Sequence, residues 1–123
     1  MTTQRSSDDR IALLQGTLDL LILKTLALGP CHGQGVGRAI QRRSEEVFFV
    51  EHGSLYLALR RLEDKEWISA EWGLSENNRR ARFYSLTPTG REQLVEKTSE
   101  WKRLNRAMGL ILGNSGAPTA EEA

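Results

Sequence analysis

Residues 54–65 read Ser54-Leu55-Tyr56-Leu57-Ala58-Leu59-Arg60-Arg61-Leu62-Glu63-Asp64-Lys65. Leu55, Ala58, Leu59 and Leu62 recur at the three- and four-residue intervals of one helix face. At about 100° per residue, Leu57, Arg60, Arg61 and Asp64 fall on the opposite face. The segment therefore predicts an amphipathic helix with two arginines on its outer side. Such a helix needs a body to pack on, and the flanking sequence supplies one.

Upstream, residues 16–28 contain Leu18, Leu21, Ile22, Leu26 and Leu28. This apolar surface is wider than one stripe, so it predicts a helix buried on more than one side. Gly29-Pro30 ends it, because proline cannot continue the hydrogen-bond ladder. A second helix is predicted over 34–43, with Val36 and Ile40 on one face and Arg38, Gln41 and Arg42 elsewhere. Gly33, Gly35 and Gly37 each lower its intrinsic helicity by about 1 kcal/mol relative to alanine. Glycine at such sites permits close backbone approach. Residues 47–50 are a short β-branched and aromatic run, read as a lone small strand.

Downstream, Ile68, Ala70 and Trp72 alternate with Ser69, Glu71 and Gly73. Arg82, Tyr84 and Leu86 alternate in the same way with Ala81, Phe83 and Ser85. Between the runs lies Ser75-Glu76-Asn77-Asn78-Arg79-Arg80, a turn-rich and basic loop, so the pair reads as a hairpin. Thr87-Pro88 then reads as a helix N-cap followed by proline in the first helical position. Thr89 with Glu92 offers an alternative capping box.

The last helix is expected over 88–112. Leu94, Trp101 and Met108 recur every seven residues, with Leu104 and Ile111 in the intervening seam and Lys97 as one polar gap. This resembles a coiled-coil seam. It reads either as a terminal helix packed on its own domain or as a helix paired with a second copy. Pairing accounts better for a stripe larger than so small a body can cover. The expected pairing surface is Leu18, Ile22, Leu94, Trp101, Leu104, Met108 and Ile111.

The fold class is thus mainly α with a small β-hairpin: a winged helix-turn-helix followed by a dimerisation helix. The expected organisation is a frayed segment 1–9, a winged domain 10–87, the pairing helix 88–112 and a disordered tail 113–123. The 123 residues suit one compact core. A net charge of +1 does not by itself announce a nucleic-acid binder, so the distribution of charge carries that reading. A single cysteine, Cys31, excludes an internal disulfide framework and fits a reducing compartment. The longest apolar stretch, 20–28, is too short to span a bilayer and contains Lys24. Asp8 and Asp9 stand where an export signal needs an apolar run, so a cytoplasmic location is expected.

Three helices followed by a hairpin with a basic tip give a geometry that fits DNA. A helix enters the major groove, and a neighbouring loop follows the backbone or the minor groove. Arg60 and Arg61 on the third helix and Asn77, Asn78, Arg79 and Arg80 on the tip, with Arg82 behind, suit phosphate and guanine edges. On pattern alone the same arginines read equally as solvated surface.

Several short motifs resemble the PadR family of bacterial transcriptional regulators. They are Gln15-Gly16-Thr17-Leu18 with Leu21-Ile22-Leu23, Pro30 with His32-Gly33, and Gly53-Ser54-Leu55-Tyr56 with Ala58-Leu59, Arg61-Leu62-Glu63 and Trp67-Ile68. Further on come Glu71-Trp72, Asn77-Asn78-Arg79-Arg80, Tyr84-Ser85-Leu86-Thr87 and Gly90-Arg91. The resemblance runs over residues 14–104, and the tail resembles the compact subgroup with a single C-terminal helix. It departs from the family pattern at His52 and Leu57, where proline is frequent, and at Gln34, where an aromatic is frequent. The first two departures bear on how the recognition helix begins and on base preference.

The resemblance implies a homodimer on a partly palindromic operator, usually a repressor. It implies DNA contacts from Ser54, Tyr56, Arg60 and Arg61 on the recognition helix and from Asn78, Arg79 and Arg80 on the wing. Within that set Ser54 and Tyr56 are expected at phosphates and Arg60 at a base edge. Some compact relatives hold flat aromatic drugs between paired tryptophans, which makes Trp101 a candidate ligand residue beside its reading as a dry seam residue. The alternatives are therefore a ligand-responsive regulator of the multidrug type and a protein-interaction module that binds no DNA.

Other signals carry less. Gly33, Gly35 and Gly37 lack the strand and the Lys-Ser/Thr of a phosphate loop. His32 and His52 lack metal-ligand spacing, so no metal and no cofactor are expected. Ser54 near His52 lacks the glycine frame of a nucleophile elbow. Cys31 beside Pro30 reads as inert more readily than as a redox sensor. No acid, base and nucleophile converge, so an enzyme is not expected.

Overall fold

The structure, a computed structural model, describes residues 11–12 and 15–113, with backbone only at residues 11 and 12. The segments expected to be frayed or disordered at 1–9 and beyond Gly113 lie outside the described residues. In chain order the elements are β1 (Ile11–Ala12), α1 (Gln15–Ala27), β2 (Cys31–His32), α2 (Gly33–Arg43) and β3 (Phe48–Phe49). There follow α3 (His52–Asp64), β4 (Ile68–Leu74), β5 (Arg80–Leu86) and α4 (Pro88–Leu112). The α3 helix begins two residues before the expected start, because its first turn is closed by the Leu55 amide donating to the Glu51 carbonyl at 2.9 Å. That turn carries no apolar periodicity, so spacing alone could not place it.

The core is where the periodic positions meet. Leu18, Ile22, Leu23 and Leu26 of α1 pack with Val36 and Ile40 of α2, with Leu55, Ala58, Leu59 and Leu62 of α3, and with Ile68, Tyr84 and Leu94. Leu18, Ile22 and Leu94 are corrected from the expected pairing surface by this packing. Ile22 is 0% exposed, Leu18 2% and Leu94 9%. Side chains covered so fully by their own chain leave no area for a second copy. Lys97, the polar gap in the seam, is also turned inward, with its Nζ 5.4 Å from the Trp67 ring centroid.

The sheet has three strands in the order β2-β5-β4, all antiparallel. The hairpin register sets Ile68 opposite Leu86, Trp72 opposite Arg82 and Leu74 opposite Arg80. The two-residue β2 was not legible as a strand, and it ties Cys31 and His32 to Tyr84 and Phe83. Nor is β3 alone, since it pairs in parallel with β1, Ile11 against Phe48.

Two junctions fix α3 and α4 relative to each other. After α3, the Trp67 amide donates to the Leu62 carbonyl at 3.0 Å and the Glu66 amide to Glu63 at 2.9 Å, with Glu66 at φ 63°. These are the two bonds of a Schellman stop, with glutamate in the position that favours glycine. Thr87 then caps α4: its Oγ1 accepts from the Gly90 amide at 2.9 Å and donates to the Glu66 and Trp67 carbonyls at 2.8 and 3.0 Å. The cap is thus Thr87 rather than the alternative at Thr89. A Cβ on Gly90 would collide with the Trp67 carbonyl oxygen, so only glycine lets the helix start this close to the turn.

Candidate nucleic-acid interface

The outer face of α3 carries Ser54, Tyr56, Leu57 and Arg60, all exposed. The Ser54 Oγ donates to Glu51 Oε1 at 3.0 Å across the first turn. The Tyr56 ring lies 4.7 Å from His52, tilted by 46°. Its hydroxyl reaches the start of α2, where a Cβ on Gly33 would overlap it. Glycine at residue 33 therefore lets the recognition helix sit against the second helix with the phenol between them. Arg60 has no carboxylate partner among the described residues.

Arg61 is a correction. The spacing put it on the outer face, but its Nη2 donates to Asp19 Oδ1 of α1 at 2.6 Å. Its Nε is buried with no hydrogen-bond partner among the described residues. At about 100° per residue it stands near the edge of the outer face. A buried carboxylate on an apolar helix attracts the nearest cation. Arg61 is therefore a strut between α3 and α1, not a free cation for DNA.

The wing is built around a tight tip. The Asn78 amide donates to the Ser75 carbonyl at 2.8 Å, and the Ser75 amide to the Arg79 carbonyl at 2.9 Å. Asn78 sits at φ 62°, a left-handed conformation that asparagine tolerates. Arg79 and Arg80 are exposed. The Arg80 guanidinium lies over the Trp72 ring at 4.6 Å, and Arg82 lies 5.9 Å from both Trp72 and Tyr84. Arg82 also donates to Glu63 Oε2 at 2.8 Å, so its charge is matched by α3. Arg79 and Arg80 have no acidic partner among the described residues.

Between α3 and the wing is a cleft of about 450 Å³, lined by His32, Gly33, Gln34, Tyr56, Trp72, Arg80, Ala81, Arg82 and Tyr84. The His32 Nδ1 accepts from the Gly35 amide at 3.1 Å and caps α2, while its Nε2 stands 4.0 Å from Glu76 Oε1. Its ring meets Phe83 edge-on at 5.5 Å. Burial pushes the Tyr84 phenol above its usual range, with Arg82 acting in the opposite direction. The Cys31 thiol is likewise pushed up by burial, so it remains a thiol near neutral pH. Among the described residues no group of acids, histidines and cysteine could hold a metal. The cleft brings together the Tyr56 phenol of α3 and, from the wing, the Trp72 ring and the Arg80 guanidinium, which has no acidic partner among the described residues.

Sequence reasoning missed three residues here. Asp19 is a lone acid among leucines, and a buried acid needs a cation. Trp72, read only as one member of the strand alternation, shares its strand face with Ile68 and Ala70, but the hairpin carries it past the core's edge to 61% exposure. The signal was the pair Arg80 and Arg82, whose register brings both to its ring. Leu57 was placed on the outer face without a role, although a large apolar residue there is itself a signal.

Three packed helices, an exposed face on the third, and a cationic hairpin beside it are the arrangement of a winged-helix DNA-binding regulator of transcription. The chain belongs to the Transcriptional regulator PadR-like family, which it matches over residues 22–96. It is similar to a solved PadR family transcription regulator from hypervirulent Clostridium difficile R20291, at 32% identity and a TM-score of 0.68 over 77% of this chain and 97% of that one. It is also similar to a transcriptional regulator from Clostridium thermocellum Cth-833, at 27% identity and a TM-score of 0.71 over 77% and 92% of the two chains. The uncharacterized protein X of Lysinibacillus sphaericus is 27% identical over 103 residues, 84% of this chain and 94% of that protein. No helix among the described residues is long and apolar enough to cross a membrane.

Proposed function

We propose that the chain acts in the cytoplasm as a homodimer that binds a partly palindromic operator and represses transcription. The observation that carries the pairing is the outer half of α4. Trp101, Leu104, Met108 and Ile111 lie along one side of it, all exposed, with Ile111 at 81%. Apolar area on a projecting helix is stabilised when a second copy removes it from water, at about 25 cal/mol per Å². Two-fold pairing then sets two recognition helices on an inverted repeat, about one DNA turn apart. Ser54, Tyr56, Arg60, Asn78, Arg79 and Arg80 are the proposed contacts. Repression is the sign the family resemblance implies.

Light scattering should give about twice the 13.9 kDa of one chain. Selection from random DNA should return an inverted repeat, and binding to it should weaken steeply with salt. A monomer on a single asymmetric site would overturn the paired reading. A flat salt response would favour the protein-interaction module. A reporter gene downstream of the selected repeat reads the sign.

A second reading is favoured by a groove of about 320 Å³ lined by Gly16, Thr17, Lys97, Glu100, Trp101 and Leu104. Its α4 wall carries the Trp101 indole between one carboxylate, Glu100, and one ammonium, Lys97, which suits a flat aromatic effector stacked on the indole. Saturable quenching of a variant retaining only Trp101, by a planar cationic dye, is the expected outcome. Absence of quenching would leave Trp101 as a dry seam residue.

A further inference from the structure

We propose that Leu57 reads thymine, by seating its isobutyl group against the C5-methyl of a T·A pair in the major groove. The inference rests on the DNA-binding reading of α3. The core positions of α3 are Leu55, Ala58, Leu59 and Leu62. Leu57 and Arg60 straddle the line opposite that core, each within about 30° of it. Leu57 is 66% exposed. It sits at the centre of the surface that enters the groove, in the N-terminal half of the helix, where base edges are met.

Docking takes that surface out of water, so Leu57 must meet something. Opposed to a phosphate or to a base nitrogen or oxygen, it would leave a desolvated polar group without a partner, which is costly. The apolar group that the major groove presents is the thymine methyl. A leucine contact with it gains from burial on both sides and leaves no hydrogen bond unmade. Arg60, one turn further along the same face, carries the donors that suit guanine O6 and N7. The helix thus offers an apolar reader and a cationic reader side by side. This predicts a thymine in each half-site close to a guanine.

The test starts from random DNA and so applies whatever the operator is. Duplexes are selected by the wild-type chain, and each thymine of the half-site is then replaced in turn by deoxyuridine, which lacks only the methyl. One replacement should weaken wild-type binding by about three- to tenfold, the value of one buried methyl and its contact. Leu57→Ala should bind the thymine duplex more weakly by a similar factor and should not distinguish thymine from uracil at that position. Leu57 is exposed, so this variant should retain its fold, and unchanged thermal unfolding checks it. The proposal is overturned if every uracil replacement is tolerated by the wild type, or if Leu57→Ala keeps the full uracil penalty. Selection that enriches no sequence would remove the DNA-binding reading itself, and Leu57 with it.

Discussion

Arg61 and Asp19 form an ion pair at 2.6 Å that bolts the recognition helix to α1 across 42 residues of sequence. Asp19 is almost fully covered and Arg61 is about two-thirds covered. Asp19→Asn leaves a partly buried guanidinium without its counter-charge. The expected loss is about 2 kcal/mol, between the cost of breaking a buried pair and that of breaking a surface one. Urea unfolding measures it. Arg61→Ala should also destabilise but should leave the salt dependence of DNA binding unchanged. A slope reduced by a whole ion would return Arg61 to the DNA.

Arg60 should behave in the opposite way. Arg60→Ala is expected to leave stability nearly unchanged, to cost about 1–3 kcal/mol in binding, and to relax preference at one base position. Binding to a panel of single-base operator variants checks this. Uniform weakening across the panel would make Arg60 a phosphate contact.

On the wing, Trp72 holds Arg80 in place. Arg80→Ala should reduce the salt slope by about one. Trp72→Ala should weaken binding by freeing that guanidinium, a cation–π contact of about 0.5–1 kcal/mol at an exposed site. The double variant should bind no worse than Arg80→Ala alone. Additive losses in the cycle would show that Trp72 acts independently of Arg80.

The junction between α3 and α4 makes a paired prediction about stability. Gly90→Ala drives a methyl into the Trp67 carbonyl and should cost about 2–3 kcal/mol. Glu66→Gly relieves the left-handed residue of the Schellman stop and should stabilise by about 1 kcal/mol. Thermal unfolding of both, with opposite signs, checks the geometry.

Apolar spacing made the helices and the hairpin legible, because three-four and two-residue intervals report which face is buried. The Thr87-Pro88 start was legible for a local reason, a hydroxyl cap before a residue that lacks an amide donor. The two-residue strands were not, since a period needs repeats to be seen. The site was legible as a region and less so residue by residue. Arg60 and Arg61 are neighbours of identical chemistry, and only Asp19, far away in sequence, sends one inward. Leu18 and Ile22 looked available for pairing because the apolar surface of α1 is wider than one stripe. That breadth reflects burial among α2, α3, α4 and the sheet instead.

Thr87 alone stands between the last residue of the wing and the first of α4, and its hydroxyl is bonded to the turn that follows α3. In the proposed dimer there is consequently no slack between what pairs the subunits and what reads the bases. One base pair inserted between half-sites turns one of them by about 35° around the duplex axis. No linker in the described chain can take up that rotation. Operator spacing should therefore be inherited from the α4 crossing angle, and a change in that angle would amount to a change of target.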